Sequence, residues 1–436
     1  MSIELLTLLF FVSLFVFLIL GLPLSFVLGG VSMVFIYVTW GPEAFYMVAA
    51  QTWGAMNKFT LVAIPLFVFM AMILERSGTA NDLYEMMYLW FGPVRGGLAI
   101  GTLIICAIFS AMCGISGAAV VSMGAIALPS MLERNYDRLM AVGCINSGGG
   151  WGILIPPSII MILYALISGE SVGKLFAGGV FPGLLLLILV SAYIAVRCYF
   201  QPHLGPALSP EYRGDWGKKL RALKAVILPI LIVFGVLGSI IFGVTTPTEA
   251  AGVGVLGALL SAVVYRQLTW NLVKEASLRT FRLTGMIMWI LFGAYCFSAA
   301  YHGMGASHLI EDVMQYVPGG AWGSIVFIQM VIFLLAMVLD PAGIMMICVP
   351  IFLPVVEAHG FDPVWFGILF TINMEIGYMT PPFGFNLFYM KGIVPPYITM
   401  GDIYRSVLPF TVVESFGLAL VMIFPKIATW LPYKVF

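Results

Sequence analysis

Long uncharged stretches alternate with short charged segments along this chain, and the lengths of the uncharged stretches predict its elements. A helix needs about 20 residues to cross the hydrocarbon core of a bilayer. The stretch 5–42 is therefore long enough for two spans, and the Gly21-Leu22-Pro23 turn predicts the break between them. Across the whole chain this pattern predicts an all-α polytopic membrane protein.

The stretch 96–132 fits neither one span nor two. Its segment 113–117 (CGISG) divides it into arms of about 16 residues, each roughly 24 Å long at helical rise. Neither arm would cross the hydrocarbon core, so we expect a re-entrant hairpin whose tip, 113–117, is buried in protein or lines a wet cavity. The same reasoning predicts a second re-entrant hairpin over 321–357, with its tip at 339–343.

A double-proline motif follows each predicted tip at a similar distance. The GILIPP segment begins at Gly152, 38 residues after Gly114, and the GYMTPP segment begins at Gly377, 37 residues after Asp340. Because a Pro-Pro pair removes two backbone donors, each motif should unwind the span that carries it. The unwound helices are predicted over 139–169 and 364–394. The chain therefore contains a long internal repeat.

The distribution of basic residues predicts the orientation in the membrane. With the N-terminus outside and the spans alternating, sixteen Lys and Arg residues fall inside and four fall outside, as the positive-inside rule requires. The first hairpin then enters from the cytoplasm and the second from the opposite side, so the repeats are inverted. The polar segment 201–224, with Arg213 among its basic residues, becomes a cytoplasmic loop between the halves.

These boundaries divide the chain into five predicted parts. They are N-terminal scaffold spans (1–58), a first repeat (59–200), the cytoplasmic loop (201–224), scaffold spans that start the second repeat (225–282) and the rest of the second repeat (283–436), which ends with a last span over 405–424.

Composition supports a membrane protein and excludes other classes. Hydrophobic residues make up 61% of the 436 residues and charged residues 9%, whereas soluble domains carry charges on about a quarter of their residues. The formal net charge is zero and no basic run interleaves with aromatics, so no nucleic-acid partner is expected. No basic residue precedes Lys58, so we expect the first stretch not to be a cleaved signal peptide.

Helix breaks of this kind supply backbone carbonyl oxygens, which can bind sodium without placing a fixed charge in lipid. The candidates at the first tip and break are Cys113, Ser116, Gly152, Ile155 and Pro156. The candidates at the second tip and break are Ala336, Gly377, Thr380 and Phe383. Such positions in a single motif are more often simple kinks, but two inverted copies with matched spacing favour ion sites.

Three carboxylates lie within or beside apolar stretches: Glu249, Asp340 and Glu375. Carboxylates inside a membrane mark functional sites by default, so each is a candidate for ion coupling or gating. Glu249 and Asp340 stand next to prolines, and N-capping of the following helix explains them equally well. Glu375 is a candidate proton or cation site, and a structural carboxylate with a paired partner is an equal alternative.

Enzyme motifs receive little support. The GVGVLG segment at 252–257 lies within an apolar span and is interpreted as a helix-packing face, not as a dinucleotide site. The GISG segment at 114–117 is typical of intramembrane serine proteases, in which Ser116 would need a histidine as general base. The histidines all fall in predicted loops or at loop edges: His203, His302, His308 and His359. We therefore predict no catalytic residue and keep the protease as a weak alternative.

Taken together, several segments resemble the large membrane (M) subunit of tripartite ATP-independent periplasmic (TRAP) transporters, within the wider ion-transporter superfamily. The resemblance covers essentially the whole chain. Its segments are AIPLF at 63–67, MGAIALPSM at 123–131, GILIPPS at 152–158, VTTPTEA at 244–250, Asp340-Pro341 and GYMTPPFGFNLF at 377–388.

The resemblance implies an elevator-type transport domain plus scaffold, in which the transport domain carries a small carboxylate with two or more sodium ions across the membrane. It implies one sodium at each of the two sets of candidates above. It also implies the bacterial inner membrane as location, a small membrane (Q) subunit and an extracytoplasmic substrate-binding (P) protein as partners. Substrate contacts would come from Ser110, Ser116, Asn146, Asn373 and Asn386. Proton coupling on the same fold is the alternative.

Two positions depart from the family pattern. The family often has serine where Cys113 stands and glycine where Ala336 stands. If the sodium ligands at these positions are main-chain carbonyls, both changes are tolerable. The predicted fold class is therefore an all-α polytopic membrane protein of inverted repeats, with two re-entrant hairpins and two unwound helices.

Overall fold

Every regular element that the structure describes is a helix. The structure is a computed structural model that describes residues 2–209 and 215–436. The predicted cytoplasmic loop 201–224 is described only at its two ends, because its middle, including Arg213, lies outside the described residues. The all-α polytopic prediction is confirmed for the described part of the chain.

Ten α-helices are described before the loop. They are α1 (Ile3–Ile19), α2 (Leu24–Trp40), α3 (Phe45–Met56), α4 (Ala63–Glu75), α5 (Thr79–Phe91), α6 (Gly97–Cys113), α7 (Ser116–Glu133), α8 (Arg138–Gly150), α9 (Ile159–Ser168) and α10 (Val172–Phe200). Short 3₁₀ turns precede α3 and α4, follow α8 and follow α10. The break predicted near residue 21 is the one between α1 and α2.

The second half contributes a further twelve described α-helices. They are α11 (Trp216–Ala222), α12 (Lys224–Val233), α13 (Ser239–Ile241), α14 (Pro247–Val264), α15 (Trp270–Gly303), α16 (Ala306–Gln315), α17 (Gly320–Ala336), α18 (Pro341–Ala358), α19 (Pro363–Tyr378), α20 (Phe385–Lys391), α21 (Met400–Ile423) and α22 (Lys426–Val435). A π-helical turn, Phe234–Gly238, joins α12 to α13.

Several helices are long and apolar enough to cross a membrane. By length and composition seven described helices qualify, and the number rises to nine if each of two bent pairs forms one span. The bent pairs are Pro42–Met56 with Phe59–Glu75, at 61°, and Ala306–Gln315 with Gly320–Ala336, at 118°. The described part of the chain is therefore a multi-pass membrane body.

α6 and α7 lie antiparallel, separated only by Gly114 and Ile115. Gly114 has φ +65°, and a Cβ there would stand 2.3 Å from the carbonyl oxygen of Pro157, so both conformation and space require glycine. At the other end of the pair, the backbone N–H of Leu98 donates to the Tyr136 hydroxyl at 3.1 Å. The two arms therefore meet at both ends, as a hairpin does.

α17 and α18 form a second antiparallel pair. Asp340 caps α18, because its Oδ1 accepts from the N–H of Gly343 at 3.0 Å. At the opposite end, the rings of Trp322 and Phe361 stand 5.1 Å apart, edge to face. The helix boundaries thus place turns at both tips predicted from the sequence.

Two helices are interrupted at the double-proline motifs. The first interruption separates α8 from α9 and the second separates α19 from α20, and the Pro-Pro peptide bond is cis in both motifs. α8 packs against both arms of the first hairpin, and α19 against both arms of the second. In addition, α20 contacts α7 and α9 contacts α18, so each interrupted helix also reaches the opposite hairpin.

Outside this bundle, α2, α4, α14 and α15 pack together. The packing is tight because of glycine: a Cβ on Gly293 in α15 would stand 2.6 Å from the carbonyl oxygen of Ser25 in α2. On the predicted cytoplasmic side, Arg76 hydrogen-bonds Glu275, and Arg279 lies 3.6 Å from Glu75. These ion pairs join the end of α4 to the start of α15.

Two boundaries from the sequence need correction. The division between residues 282 and 283 was placed by charge, but α15 runs through it, because its charged first turns extend the helix beyond the apolar part. The last span was predicted to start at 405, but α21 starts at Met400 with a capping box between Thr399 and Asp402. The division into repeats and scaffold stays a prediction.

Candidate functional site

The first tip and the first interruption touch each other at Gly152. A Cβ on Gly152 would stand 2.6 Å from the carbonyl carbon of Ile115, 2.7 Å from its oxygen and 2.8 Å from the backbone nitrogen of Ser116. The backbone of the interruption therefore lies directly against the backbone of the tip. Buried Cys113, which ends α6, and buried Ser116, which begins α7, flank this contact.

The other two candidates of the first set lie on the side of the interruption that faces α10. A Cβ on Gly183 of α10 would stand 2.9 Å from Cγ1 of Ile155, and one on Gly179 would stand 3.4 Å from Cδ of Pro156. Their side chains are therefore used in packing, and only their backbone carbonyls are available for an ion.

In the second repeat a related contact joins the end of α17, just before the tip, to the last turn of α19, just before the interruption. A Cβ on Gly377 would stand 2.2 Å from Cβ of Ala336, the last residue of α17. Thr380 is buried, and its hydroxyl donates to the carbonyl oxygen of Ile376 at 2.6 Å, so its oxygen can still accept a cation. The side chain of Phe383 is 54% exposed, so only its backbone can contribute to such a site.

The polar candidates for substrate contact divide into two groups. Asn146 and Asn386 meet, with Nδ2 of Asn386 donating to the backbone oxygen of Asn146 at 3.5 Å. Asn373 is hydrogen-bonded to a different residue: its Nδ2 donates to the backbone and side-chain oxygens of Gln329, at 2.6 and 2.8 Å. Ser110 is fully buried, and its hydroxyl has no hydrogen-bond partner among the described residues.

The three carboxylates singled out from sequence have different surroundings. Glu249 is exposed and completes a capping box with Thr246, whose backbone N–H donates to it at 2.8 Å. Asp340 caps α18, as described above. Both residues therefore make the contacts of a helix cap, and a coupling or gating role for them stays a prediction. Glu375 is 1% exposed and faces a second carboxylate.

That second carboxylate, Glu414, was missed in the sequence. It lies in α21, is fully buried, and accepts at Oε1 from the Ser147 hydroxyl at 2.5 Å and from Trp151 Nε1 at 3.3 Å. The carboxyl groups of Glu414 and Glu375 are close neighbours. A lone acidic residue inside the last apolar span was the signal that could have identified it.

The geometry does not favour a protease or a conventional metal centre. The rings of His302 and His359 each contact a carbonyl oxygen of their own segment, those of Ser298 and Val355. In the described ranges no group of three or more His, Cys, Asp or Glu side chains is placed to hold a metal ion. The available ligands are instead backbone carbonyls, amides and a carboxyl pair.

Comparison with known proteins gives a consistent result. A family model described as "Tripartite ATP-independent periplasmic transporter, DctM component" matches residues 11–427. The chain is 31% identical to the C4-dicarboxylate TRAP transporter large permease protein DctM of Vibrio cholerae, over 95% of this chain and 94% of the relative. It is also 31% identical to the ectoine TRAP transporter large permease protein TeaC of Halomonas elongata, over 95% and 96%.

Two further comparisons add to this. The isethionate TRAP transporter permease protein DctMQ of Oleidesulfovibrio alaskensis is 27% identical over 95% of this chain, which covers 64% of that relative. Among solved structures, the YdaH transporter of Alcanivorax borkumensis superposes with a TM-score of 0.64, covering 94% of this chain and 97% of that one. Because the sequence identity to YdaH is 12%, this similarity concerns the fold alone.

Proposed function

Because this chain belongs to the DctM component family of TRAP transporters, we propose that it imports a small organic anion together with sodium ions. The family consists of large permeases of the bacterial inner membrane, so this multi-pass chain is a transporter subunit and not an enzyme. The ion, the solute class and the mechanism are the proposal, and each is supported by a separate observation.

The observation that carries sodium coupling is the paired contact between hairpin turns and interrupted helices. At Gly152 and again at Gly377, a side chain of any size would collide with the facing segment. Interrupted helices leave carbonyl oxygens without intrahelical donors, and these oxygens suit sodium because they add no fixed charge to the membrane interior. Two such contacts, related by the internal repeat, support two sodium sites.

The elevator mechanism is supported by the pattern of packing. The two hairpins and the two interrupted helices contact one another across the repeat, which favours a body that moves as a unit. The packed set of α2, α4, α14 and α15 provides a candidate scaffold. We infer that both hairpins are re-entrant from opposite sides, because each reverses at a short break between its two arms, and non-helical backbone at membrane depth is tolerated where it is buried in protein.

The solute and partners are inferred from the relatives. Their names give C4-dicarboxylate, ectoine and isethionate as solutes, and we propose a small carboxylate for this chain. The composite name DctMQ, and the part of that relative that this chain does not cover, support a small Q subunit as partner. The family description, which names a periplasmic transporter system in three parts, supports a periplasmic binding protein.

The test is uptake into proteoliposomes that contain this chain and its small subunit, with a solute-loaded binding protein outside. We expect solute to accumulate only when sodium is higher outside. Uptake driven equally well by a proton gradient without sodium would contradict the proposal and favour the proton-coupled alternative. Liposomes with the small subunit alone serve as the control for leak.

A further inference from the structure

Four buried polar side chains from four helices meet beside the C-terminal end of α8. They are Asn146 of α8, Glu375 of α19, Asn386 of α20 and Glu414 of α21, and none is more than 1% exposed. Three of them, all except Glu414, are candidates that the sequence predicts separately. Their assembly into one cluster, completed by Glu414, is a property of the tertiary structure.

One face of α8 organises this cluster. Ser147 and Trp151, one helical turn apart, both donate to Oε1 of Glu414. Between them along the helix, Gly150 leaves an open position: a Cβ there would stand 3.3 Å from Oε1 of Glu375 and 3.4 Å from Nδ2 of Asn386. The glycine therefore lets both side chains approach the helix where Glu414 is held.

The cluster has more acceptors than donors. Five of its buried oxygens have no hydrogen-bond donor among the described residues: Oδ1 of Asn146, Oδ1 of Asn386, both carboxyl oxygens of Glu375 and Oε2 of Glu414. A buried acceptor without a partner is strongly unfavourable, and a buried carboxyl group more so. A bound cation would give these oxygens a common partner.

The protein does not supply that charge from its own side chains. In the ranges 2–209 and 215–436, no Lys, Arg or His forms an ion pair with Glu375 or Glu414. Glu375 and Glu414 are neighbouring carboxyl groups, and two negative charges side by side repel each other. The remaining partners, Ser147 and Trp151, are neutral.

We propose that Glu375, Glu414, Asn146 and Asn386 bind one sodium ion, at a site separate from the two contacts at Gly152 and Gly377. Carboxylate and amide oxygens are hard ligands suited to such a cation. The ion connects α21 to both interrupted helices, since α21 packs against α8, α19 and α20. As a transported ion it rests on the proposed sodium-coupled function.

The decisive variant is Glu414→Gln, which keeps an oxygen that accepts from Ser147 and Trp151 while removing the charge. In proteoliposomes with the complete transporter, the number of radiolabelled sodium ions taken up per solute molecule should fall by one. Alternatively, the sodium concentration that gives half-maximal uptake should rise at least about tenfold. Glu357→Gln, on an exposed carboxylate of α18, is the matched control and should leave both quantities unchanged.

A binding measurement covers the case in which transport is lost. In the purified chain without solute, the midpoint temperature of unfolding should be higher in sodium than in potassium, because a bound ligand stabilises the folded state. We expect a smaller increase in Glu414→Gln and also in Asn386→Ala, which removes one oxygen without changing charge. Equal sodium stabilisation in wild type and both variants would overturn the proposal.

The outcomes separate this inference from the proposed function. If wild-type uptake shows no sodium dependence, the proposed function fails. If wild-type uptake depends on sodium but Glu414→Gln keeps both the wild-type ion ratio and half-saturating sodium, only the additional site is refuted. A variant that retains all sodium effects but no longer moves protons would also refute it, and would identify the pair as a proton site.

Discussion

Replacing Gly152 with alanine tests whether the contact between the first tip and the first interruption is an ion site. The added Cβ would stand 2.6 Å from the carbonyl carbon of Ile115, 2.7 Å from its oxygen and 2.8 Å from the nitrogen of Ser116, whereas real Cβ contacts essentially never fall below 3.0 Å. All three atoms belong to the backbone. The tip must therefore shift by several tenths of an ångström, which no side-chain rotation can avoid.

The structure sets the expected size of this effect. Overpacking of a well-packed interior costs about 1–3 kcal/mol. If about 2 kcal/mol of this cost weakens sodium binding, the sodium concentration that gives half-maximal uptake rises roughly 30-fold. The assay is the initial rate of solute uptake into proteoliposomes across a series of external sodium concentrations, at saturating binding protein.

Gly252→Ala is the matched control. Gly252 lies inside α14, and no atom stands within 4 Å of its added Cβ. Alanine there should stabilise the helix by about 0.5–1 kcal/mol and leave sodium dependence unchanged. If Gly152→Ala is well folded and shows the same sodium dependence as this control, then the tip does not bind sodium through this contact, and the reasoning from close approach is refuted.

Three other changes test single residues. Thr380→Ala should raise the sodium concentration that gives half-maximal uptake, because an oxygen beside the second contact is lost. The only other loss is the hydrogen bond from Thr380 to Ile376, and an unchanged sodium concentration excludes Thr380 as a ligand. Glu249→Ala should lower the midpoint temperature of unfolding, because the capping box at the start of α14 is lost, without altering sodium dependence; a changed sodium dependence would restore its coupling role. Ser116→Ala should weaken uptake only partly, since backbone carbonyls dominate the first site; complete loss of uptake in a folded variant would show that the hydroxyl is essential.

The helix breaks could be predicted because their causes are local. Gly114 adopts a positive φ, and the double prolines at 156–157 and 381–382 remove backbone donors wherever they stand in a helix. The structure accordingly ends α6 next to Gly114 and interrupts the other two helices at segments that contain the double prolines. Local chemistry also explains the caps at Glu249 and Asp340, although the sequence left their roles open.

Helix ends marked only by charge were less predictable. The charged residues before 283 belong to α15, because a helix that leaves the membrane can carry charges and pair them with a neighbour, as Arg279 does with Glu75. The start of α21 was placed five residues late for a related reason. The local signal for this start is the capping box of Thr399 and Asp402.

The sequence by itself determined that this chain is a multi-pass helical membrane protein with two interrupted helices, since hydrophobic length and backbone hydrogen bonding depend on neighbouring residues alone. Only the tertiary structure decided which polar groups meet. Ser147 and Glu414 are 267 positions apart and hydrogen-bond at 2.5 Å. No local pattern connects them, and their contact exists because α8 and α21 pack together around Glu375 in an apolar interior, where unpaired carboxyl groups have no water to solvate them.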